Sequence, residues 1–315
     1  MNILVTGANG FIGKNLVSKL LAEKHNVRVF LRHKTDLWDK GPVEKIIGNF
    51  ESKIYLVKAT KGISIVYHLA AIRDKWGTPW QSYYKVNIEY TKNLLQACKK
   101  NKVKQFIYCS SISVITPPFD KKFYAKSKLL AEKQVRTFCE KNNINYTIIR
   151  PVITYGPGDN GMIFKLVDMI NNNRYLTVGS GHNYVHLCYI DDLIKGFLLA
   201  LNNKKAFNHT YCFCGPQPIT INQLVELIRK NLDRQNYTFH VPLWAAHLVA
   251  FLLENMYKLF DRHTEPFISQ AKISTMTISR RFNFTRAQHD LRYKPTYDYN
   301  LGIEKTVNWY KKIYG

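Results

Sequence analysis

Two residues carry the clearest chemical meaning in this chain: Tyr124 and Lys128, within "KKFYAKSKLLAEK" (121–133). On a helix, side chains four apart share a face and lie within reach of each other. Lys126 then points elsewhere and belongs, with Lys121 and Lys122, to the solvated surface. A free tyrosine has a pKa of about 10, too high for efficient proton exchange near neutrality. A nearby ammonium, together with the positive charge of an oxidised hydride carrier, favours the phenolate and is expected to lower that value. The chemistry that fits is hydride transfer at a carbinol carbon, with Tyr124 moving the hydroxyl proton while a third group holds the substrate oxygen. "YCSSIS" offers Ser110, Ser111 and Ser113 for that task, at the end of a strand.

A hydride needs a carrier, and "TGANGFIG" places Gly7, Gly10 and Gly13 between an apolar strand and an amphipathic helix. Gly7 permits a tight turn, Gly10 lets the backbone approach a pyrophosphate, and Gly13 allows close packing of helix on strand, with the phosphates at the positive end of the helix dipole. The end of the next strand separates the two nicotinamide cofactors. An acid there would accept hydrogen bonds from the ribose 2'-hydroxyl and repel a 2'-phosphate. This chain has Arg32, His33 and Lys34 instead, and no acid until Asp36. NADP(H) is therefore the favoured cofactor and NAD(H) the alternative.

The elements that must position these residues are read from periodicity. "NILVTG", "VRVFLR", "SIVYHLAA", "QFIYCSS" and "YTIIRPV" are strands, separated by helical patterns such as "FIGKNLVSKLLAEK", "YTKNLLQACKKNK" and "KLLAEKQVRTFCEK". Such alternation predicts an α/β fold, a Rossmann-type doubly wound parallel sheet covered on both faces. Residues 1–155 are expected to form the NAD(P)-binding domain, its sheet recruiting segments up to about 200. Residues 156–315 are expected to form a smaller, mostly helical substrate domain, with helices near 163–172, 190–202 and 220–232. Residues 242–260 are the most apolar stretch, too short to span a bilayer and so a buried or interfacial helix.

Composition excludes more than it identifies. The 315 residues suffice for a core without disulfide or metal staples. The six cysteines show no paired spacing, so no metal site is expected and a reducing, cytoplasmic setting is, with no secretory leader at the N-terminus. The net charge of +24 comes from lysines spread along the chain rather than clustered or interleaved with aromatics. A solvated basic surface is favoured over a nucleic-acid footprint.

Together these residues resemble the extended short-chain dehydrogenase/reductase family, within the NAD-dependent epimerase/dehydratase superfamily. The likeness runs through "TGANGFIG", "HLAA" (68–71), "SSISV" (110–114), "YAKSK", "RPVITYGPGD" (150–159), Asn87 in "VNIEYTKNLL", Asp192 in "YIDDL" and the closing segment "RRFNFTRAQHDLRYKPTYDYNLGIEKTVNWY". It implies Tyr124 as acid/base, Lys128 as its electrostatic partner and a ribose contact, and Ser111 as the hydroxyl orienting the substrate oxygen. It also implies cofactor contacts from Asn9, Phe11 and Ile12 in the glycine loop, from Asn49 and Phe50 at adenine, and from Asn87 and Ser110. Leu69, Ala70, Ala71, Pro151, Val152 and Ile153 are implied around the ribose and nicotinamide. A homodimer through a four-helix interface, built from helices like 89–100 and 124–140, is common in such proteins.

Departures from the family pattern narrow the substrate. Val114 and Ile115 stand where dehydratases carry Asp-Glu, so elimination of water is not expected. Ile153 and Val185 replace polar residues with which sugar-nucleotide epimerases grip a diphosphate, and leaving phosphate oxygens unpaired costs a few kcal/mol. "YVHLCYIDDL" and "DKWGTPWQSYYKVN" instead resemble the 3β-hydroxysteroid and sterol-carboxylate dehydrogenase branch, which puts Ile72, Arg73, Trp76, Thr154 and Val185 among expected substrate contacts. Segment 242–260 fits that branch as a lid or a shallow membrane contact. Only twelve residues separate Ser111 from Tyr124, where relatives have a longer loop. The leading expectation is hydride transfer to or from a secondary alcohol or ketone on an apolar, lipid-like small molecule. A nucleotide-sugar 4-epimerase is the alternative, and a non-catalytic dinucleotide sensor or nucleic-acid-associated protein the second.

Overall fold

The computed structural model describes residues 1–39, 41–117, 122–235, 239–260, 266 and 268–314. In chain order the first half runs β1 (Asn2–Thr6), α1 (Phe11–Ala22), β2 (Asn26–Leu31), β3 (Val43–Ile47), α2 (Lys53–Thr60), β4 (Ile65–His68), α3 (Trp80–Tyr83), α4 (Tyr90–Lys100), β5 (Gln105–Cys109), α5 (Phe123–Lys141) and β6 (Asn145–Pro151). The second half adds β7 (Ile153–Tyr155), α6 (Met162–Asn171), β8 (Thr177–Val178), β9 (Tyr184–Val185), β10 (Leu187–Tyr189), α7 (Ile190–Leu199) and β11 (His209–Phe213). It closes with β12 (Ile219–Thr220), α8 (Ile221–Asn231), β13 (His240–Val241), α9 (Leu243–Leu259), α10 (Gln270–Thr277), α11 (Thr285–Leu291) and α12 (Tyr299–Tyr314).

Seven strands form one sheet in the order β11-β6-β5-β4-β1-β2-β3, and every pairing in it is parallel. Strand order reverses at β1, which lies between β2 and β4, so the crevice beyond its C-terminal end is where such a sheet takes a ligand. The inner strands β4 and β5 are buried at every position, as continuous apolar runs covered on both faces must be. The seventh strand, β11, lies beyond residue 200, further along the chain than the sequence reading carried the sheet. Edge strand β3 was not read from the sequence either. Its residues are mostly half-buried or exposed, so no apolar run marks it.

The chain divides into two compact units. One comprises residues 1–152, 193–213 and 284–294; the other comprises 153–192, 214–283 and 295–315. In the first, Leu94, Leu95, Cys98, Phe106 and Ile148 belong to a core with α4, α5 and the sheet. In the second, Asp192 is fully buried and accepts from Thr296 and Tyr297, which ties α7 to the segment before α12. Asp192 is thus a structural tie within this unit.

Candidate active site

The three glycines of the first loop have different duties. Gly7 closes β1 with φ +73°, and a Cβ on it would lie 2.7 Å from the Ala70 nitrogen, so the loop touches the end of β4. A Cβ on Gly13 would collide with the Gly7 carbonyl oxygen. Both are required by packing. Gly10 is different: a Cβ there would meet only the Gly7 oxygen, at 3.3 Å, and would otherwise face open space. Packing alone does not demand a glycine at that position, whereas a phosphate pressed against the backbone does. Gly10 is also the N-cap of α1, and no side chain caps this helix or places an acid in its first turn. The N–H groups of Phe11, Ile12 and Gly13 are therefore left for an anion. These residues fit a dinucleotide pyrophosphate.

At the end of β2, Arg32, His33 and Lys34 are all exposed and none forms an ion pair among the described residues. Two acids near this edge are already engaged. Asp39 pairs with Lys45, and Glu51 pairs with Lys85 at 2.8 Å while accepting from the Tyr90 hydroxyl. The expected adenine contacts are more constrained than the sequence suggested. The Phe50 ring lies in the core, stacked 5.3 Å from Tyr90 and edge-on to Phe30 at 4.9 Å. Asn49 Oδ1 accepts from the Ser52 N–H at the start of α2. What remains for a base there is the Asn49 amide nitrogen and the backbone.

Ser111, Tyr124 and Lys128 meet at the end of β5. Ser111 caps a short 3₁₀ turn, accepting from the N–H of Ser113 at 3.2 Å and from its hydroxyl at 2.9 Å. Its own hydroxyl stabilises the Tyr124 phenolate side. Tyr124 and Lys128 stand one turn apart on α5. Lys128 is almost fully buried, donates to the Cys109 carbonyl at 2.6 Å and sits 4.2 Å over the Tyr108 ring. Burial, only partly offset by Cys109 and Glu132, lowers its pKa to about 8.

Without a cofactor charge beside it, Tyr124 has its pKa raised, chiefly by loss of hydration and by Cys109, against the opposing pull of Ser111. The reason is geometric. The Lys128 ammonium is committed to the Cys109 carbonyl and the Tyr108 face, and desolvation of the phenol outweighs the remaining fields. Tyr124 therefore rests as a neutral hydroxyl, a proton donor. Ser110, at the same strand end, is buried with its hydroxyl unpartnered among the described residues, a polar atom that a bound group could satisfy.

A polar chain that the sequence did not reveal holds these parts together. Thr6 Oγ1 lies 2.7 Å from His68 Nδ1 and accepts from the Ala70 N–H. His68 Nε2 lies 2.9 Å from Thr91 Oγ1, which donates to the Asn87 carbonyl. Asn87 is fully buried in a π-helical turn, Tyr84–Glu89; it accepts from Ile72 N–H and donates to Ser127, which donates to the Tyr124 carbonyl. Burial and Lys128 together lower the His68 pKa to about 3, so its ring is neutral. The available signals were "HLAA" and the four-residue step from Asn87 to Thr91, but only the folded sheet puts Thr6 against them.

The segment after β4 borders the tyrosine. Tyr83 accepts from the Lys75 N–H, and its ring lies 6.4 Å from that of Tyr124. Arg73 and Asp74 contribute to the field at Tyr124, and Trp76 is half-buried beside them in sequence. Leu69, Ala70, Ala71 and Ile72 are half-buried along this same stretch. Lys126 is exposed, and its ammonium sits 5.1 Å over the Trp80 ring. Lys121 lies outside the described residues. Pro151 ends β6 and Val152 follows it in the first unit, whereas Ile153 and Thr154 open β7 in the second. Val185 is fully buried in β9, paired with Ile219, and presents no surface to a substrate. Among the described residues no cluster of His, Cys, Asp or Glu has metal-holding geometry, and none of the six cysteines is in a disulfide.

With this geometry in place, the likenesses to known proteins take on meaning. Residues 3–212 match the profile of the NAD dependent epimerase/dehydratase family. The chain is 26% identical over 322 residues to the N-acetyl-alpha-D-glucosaminyl-diphospho-ditrans,octacis-undecaprenol 4-epimerase of Escherichia coli O157:H7, covering 98% of this chain and 95% of that one. It is 26% identical over 337 residues to the 3-beta-hydroxysteroid dehydrogenase of Mycolicibacterium neoaurum, covering 99% and 92%. It superimposes on the UDP-glucuronic acid 4-epimerase of Bacillus cereus, solved with UDP-glucuronic acid and NAD, with a TM-score of 0.79 at 25% identity over the whole of both chains. The glycine loop, the polar chain behind it and the Ser-Tyr-Lys set thus belong to an enzyme of the NAD dependent epimerase/dehydratase family, of the extended short-chain dehydrogenase/reductase type.

Proposed function

We propose that this enzyme is an NADP(H)-preferring oxidoreductase acting on a secondary alcohol or ketone of an apolar, lipid-like molecule of the 3β-hydroxysteroid kind. The observation that carries the reading is the convergence of Ser111, Tyr124 and Lys128 on one strand end, beside a loop whose middle glycine is left open for a pyrophosphate. The nicotinamide, when bound, supplies or accepts the hydride. Ser111 holds the substrate oxygen, and Tyr124, neutral at rest, donates a proton to it in the reductive direction. Lys128 would contact the ribose, as the family likeness implies. Arg32 and Lys34 would neutralise a 2'-phosphate, which supports NADP(H) over NAD(H). Against a panel of sterol-like and acyl ketones, Tyr124→Phe is expected to lower kcat by about 10²–10⁴-fold; unchanged turnover on a true substrate would refute the assignment. NADPH is expected to bind more tightly than NADH, and Arg32→Ala to narrow the difference.

A diphosphate-linked sugar 4-epimerase is the second reading, favoured by an observation in the second unit. Arg281 stacks 3.8 Å over the Tyr184 ring, and the Arg280 N–H donates to the Tyr184 carbonyl. Neither guanidinium has an acid partner among the described residues. Two arginines beside β9 restore the positive charge that Val185 lacks, a compensation invisible in linear sequence. Purification with tightly held NAD, and loss of diphospho-sugar binding in Arg281→Ala with cofactor binding intact, would select this reading. The non-catalytic alternative would need salt-sensitive DNA binding without dehydrogenase activity. A cytoplasmic homodimer through 89–100 and 124–140 rests on family likeness, and light scattering checks it.

A further inference from the structure

We propose that α9 is a membrane-docking helix that lies in the surface of an anionic bilayer. The helix is built inside out. Its buried side is narrow and made of small residues: Ala246 and Ala250 pack on Ile273 of α10, with Val178, Val241 and Ile268 around them. Its large apolar residues point outward. Trp244 is 72% exposed, Leu248 52%, Phe251 59%, Leu252 58%, and Leu259 81%. The steps of three, four and seven between them place these side chains along one face. A surface helix of a water-soluble protein turns the opposite side to solvent.

Three polar side chains of the helix are engaged within the protein. Its single acid, Glu254, accepts from the Gln270 N–H at 2.7 Å, and His247 lies 2.6 Å from Gln270 Oε1. The exposed Asn255 donates back to the Phe251 carbonyl. The outward face therefore carries no carboxylate to repel an anionic headgroup. No described helix is long and apolar enough to cross a membrane, so the face would lie along the interface, with Trp244 at headgroup depth. Charge selects the occupant. The chain carries a net +24, which an anionic bilayer complements and a second copy of the same chain opposes. This proposal stands apart from the choice of substrate, since it needs only the helix and the charge.

The test is co-sedimentation of the full chain with phosphatidylcholine vesicles and with vesicles containing added phosphatidylglycerol, read beside the tryptophan emission. The chain is expected to partition onto the anionic vesicles, more weakly onto the neutral ones, with a blue shift and a decrease at high salt. Replacing Trp244, Phe251 and Leu252 together by Gln should weaken partitioning more than about tenfold at an unchanged melting temperature, because these side chains are exposed. Should the triple variant melt early, Leu252→Gln alone repeats the measurement at one solvent-facing position. Equal partitioning of variant and parent would overturn the proposal. So would a parent that ignores all vesicles and instead forms a dimer that the triple variant abolishes, which would make the face a contact between copies.

Discussion

Lys128→Met separates stability from catalysis in a way that can be calculated beforehand. The folded chain holds this ammonium in a buried setting that lowers its pKa from 10.5 to about 8. Each unit is worth about 1.4 kcal/mol, so the charged form is disfavoured by roughly 3 kcal/mol in the folded state. The sign follows from proton counting. Below pH 8 both folded and unfolded chains carry the proton, and the whole penalty is present. Between pH 8 and 10.5 the folded chain has released it while the unfolded chain has not, so stability rises with pH by up to about 1.4 kcal/mol per unit. Met fills similar volume without charge but leaves the Cys109 carbonyl unpartnered, a cost of about 1–3 kcal/mol. Urea unfolding at pH 7 should therefore show the variant within about 2 kcal/mol of the parent. Between pH 8 and 10.5 the parent should gain about 3 kcal/mol on the variant, and turnover should fall by about 10²-fold or more. Parallel stability profiles across that window would refute the buried-ammonium argument. Undiminished turnover would refute the catalytic role.

Three further outcomes follow from the same geometry. Gly10→Ala should fold with little loss of stability yet bind nicotinamide dinucleotide at least about tenfold more weakly by calorimetry, whereas Gly13→Ala should lower the melting temperature, because the first Cβ lies 3.3 Å from the Gly7 oxygen and the second only 2.1 Å from it. Glu132 is buried and takes a bidentate pair from Arg150 at 2.8 and 2.6 Å, so Glu132→Ala should cost about 3–5 kcal/mol in denaturant unfolding by stranding a partly buried guanidinium. His68, neutral down to about pH 3 when folded, should make the parent lose stability as pH falls from 6.5, by up to about 1.4 kcal/mol per unit, and His68→Asn should flatten that slope in urea titrations at successive pH values.

Local chemistry wrote much of this protein into its sequence. Strand, glycine turn and amphipathic helix are short-range patterns, so the sheet's first half and the dinucleotide loop were legible, as was the helical step joining Tyr124 to Lys128. The edge strand β3 was not, because a strand with one neighbour and solvated faces needs no apolar run. The seventh strand was not, because β11 finds β6 across about 60 residues and pairing at that distance leaves no local periodicity. The direction of the Tyr124 shift depends on where Lys128 points and how dry the hydroxyl is, and neither is a property of spacing. The His68, Thr91 and Asn87 chain, the burial of Val185 and the arginines beside Tyr184 arise from residues that the fold brings together from distant positions. Sequence alone determined which reactive groups exist and which neighbours along a helix they keep. The tertiary structure decided their hydration and partners, because desolvation and field depend on everything packed around a group rather than on the residues next to it in the chain.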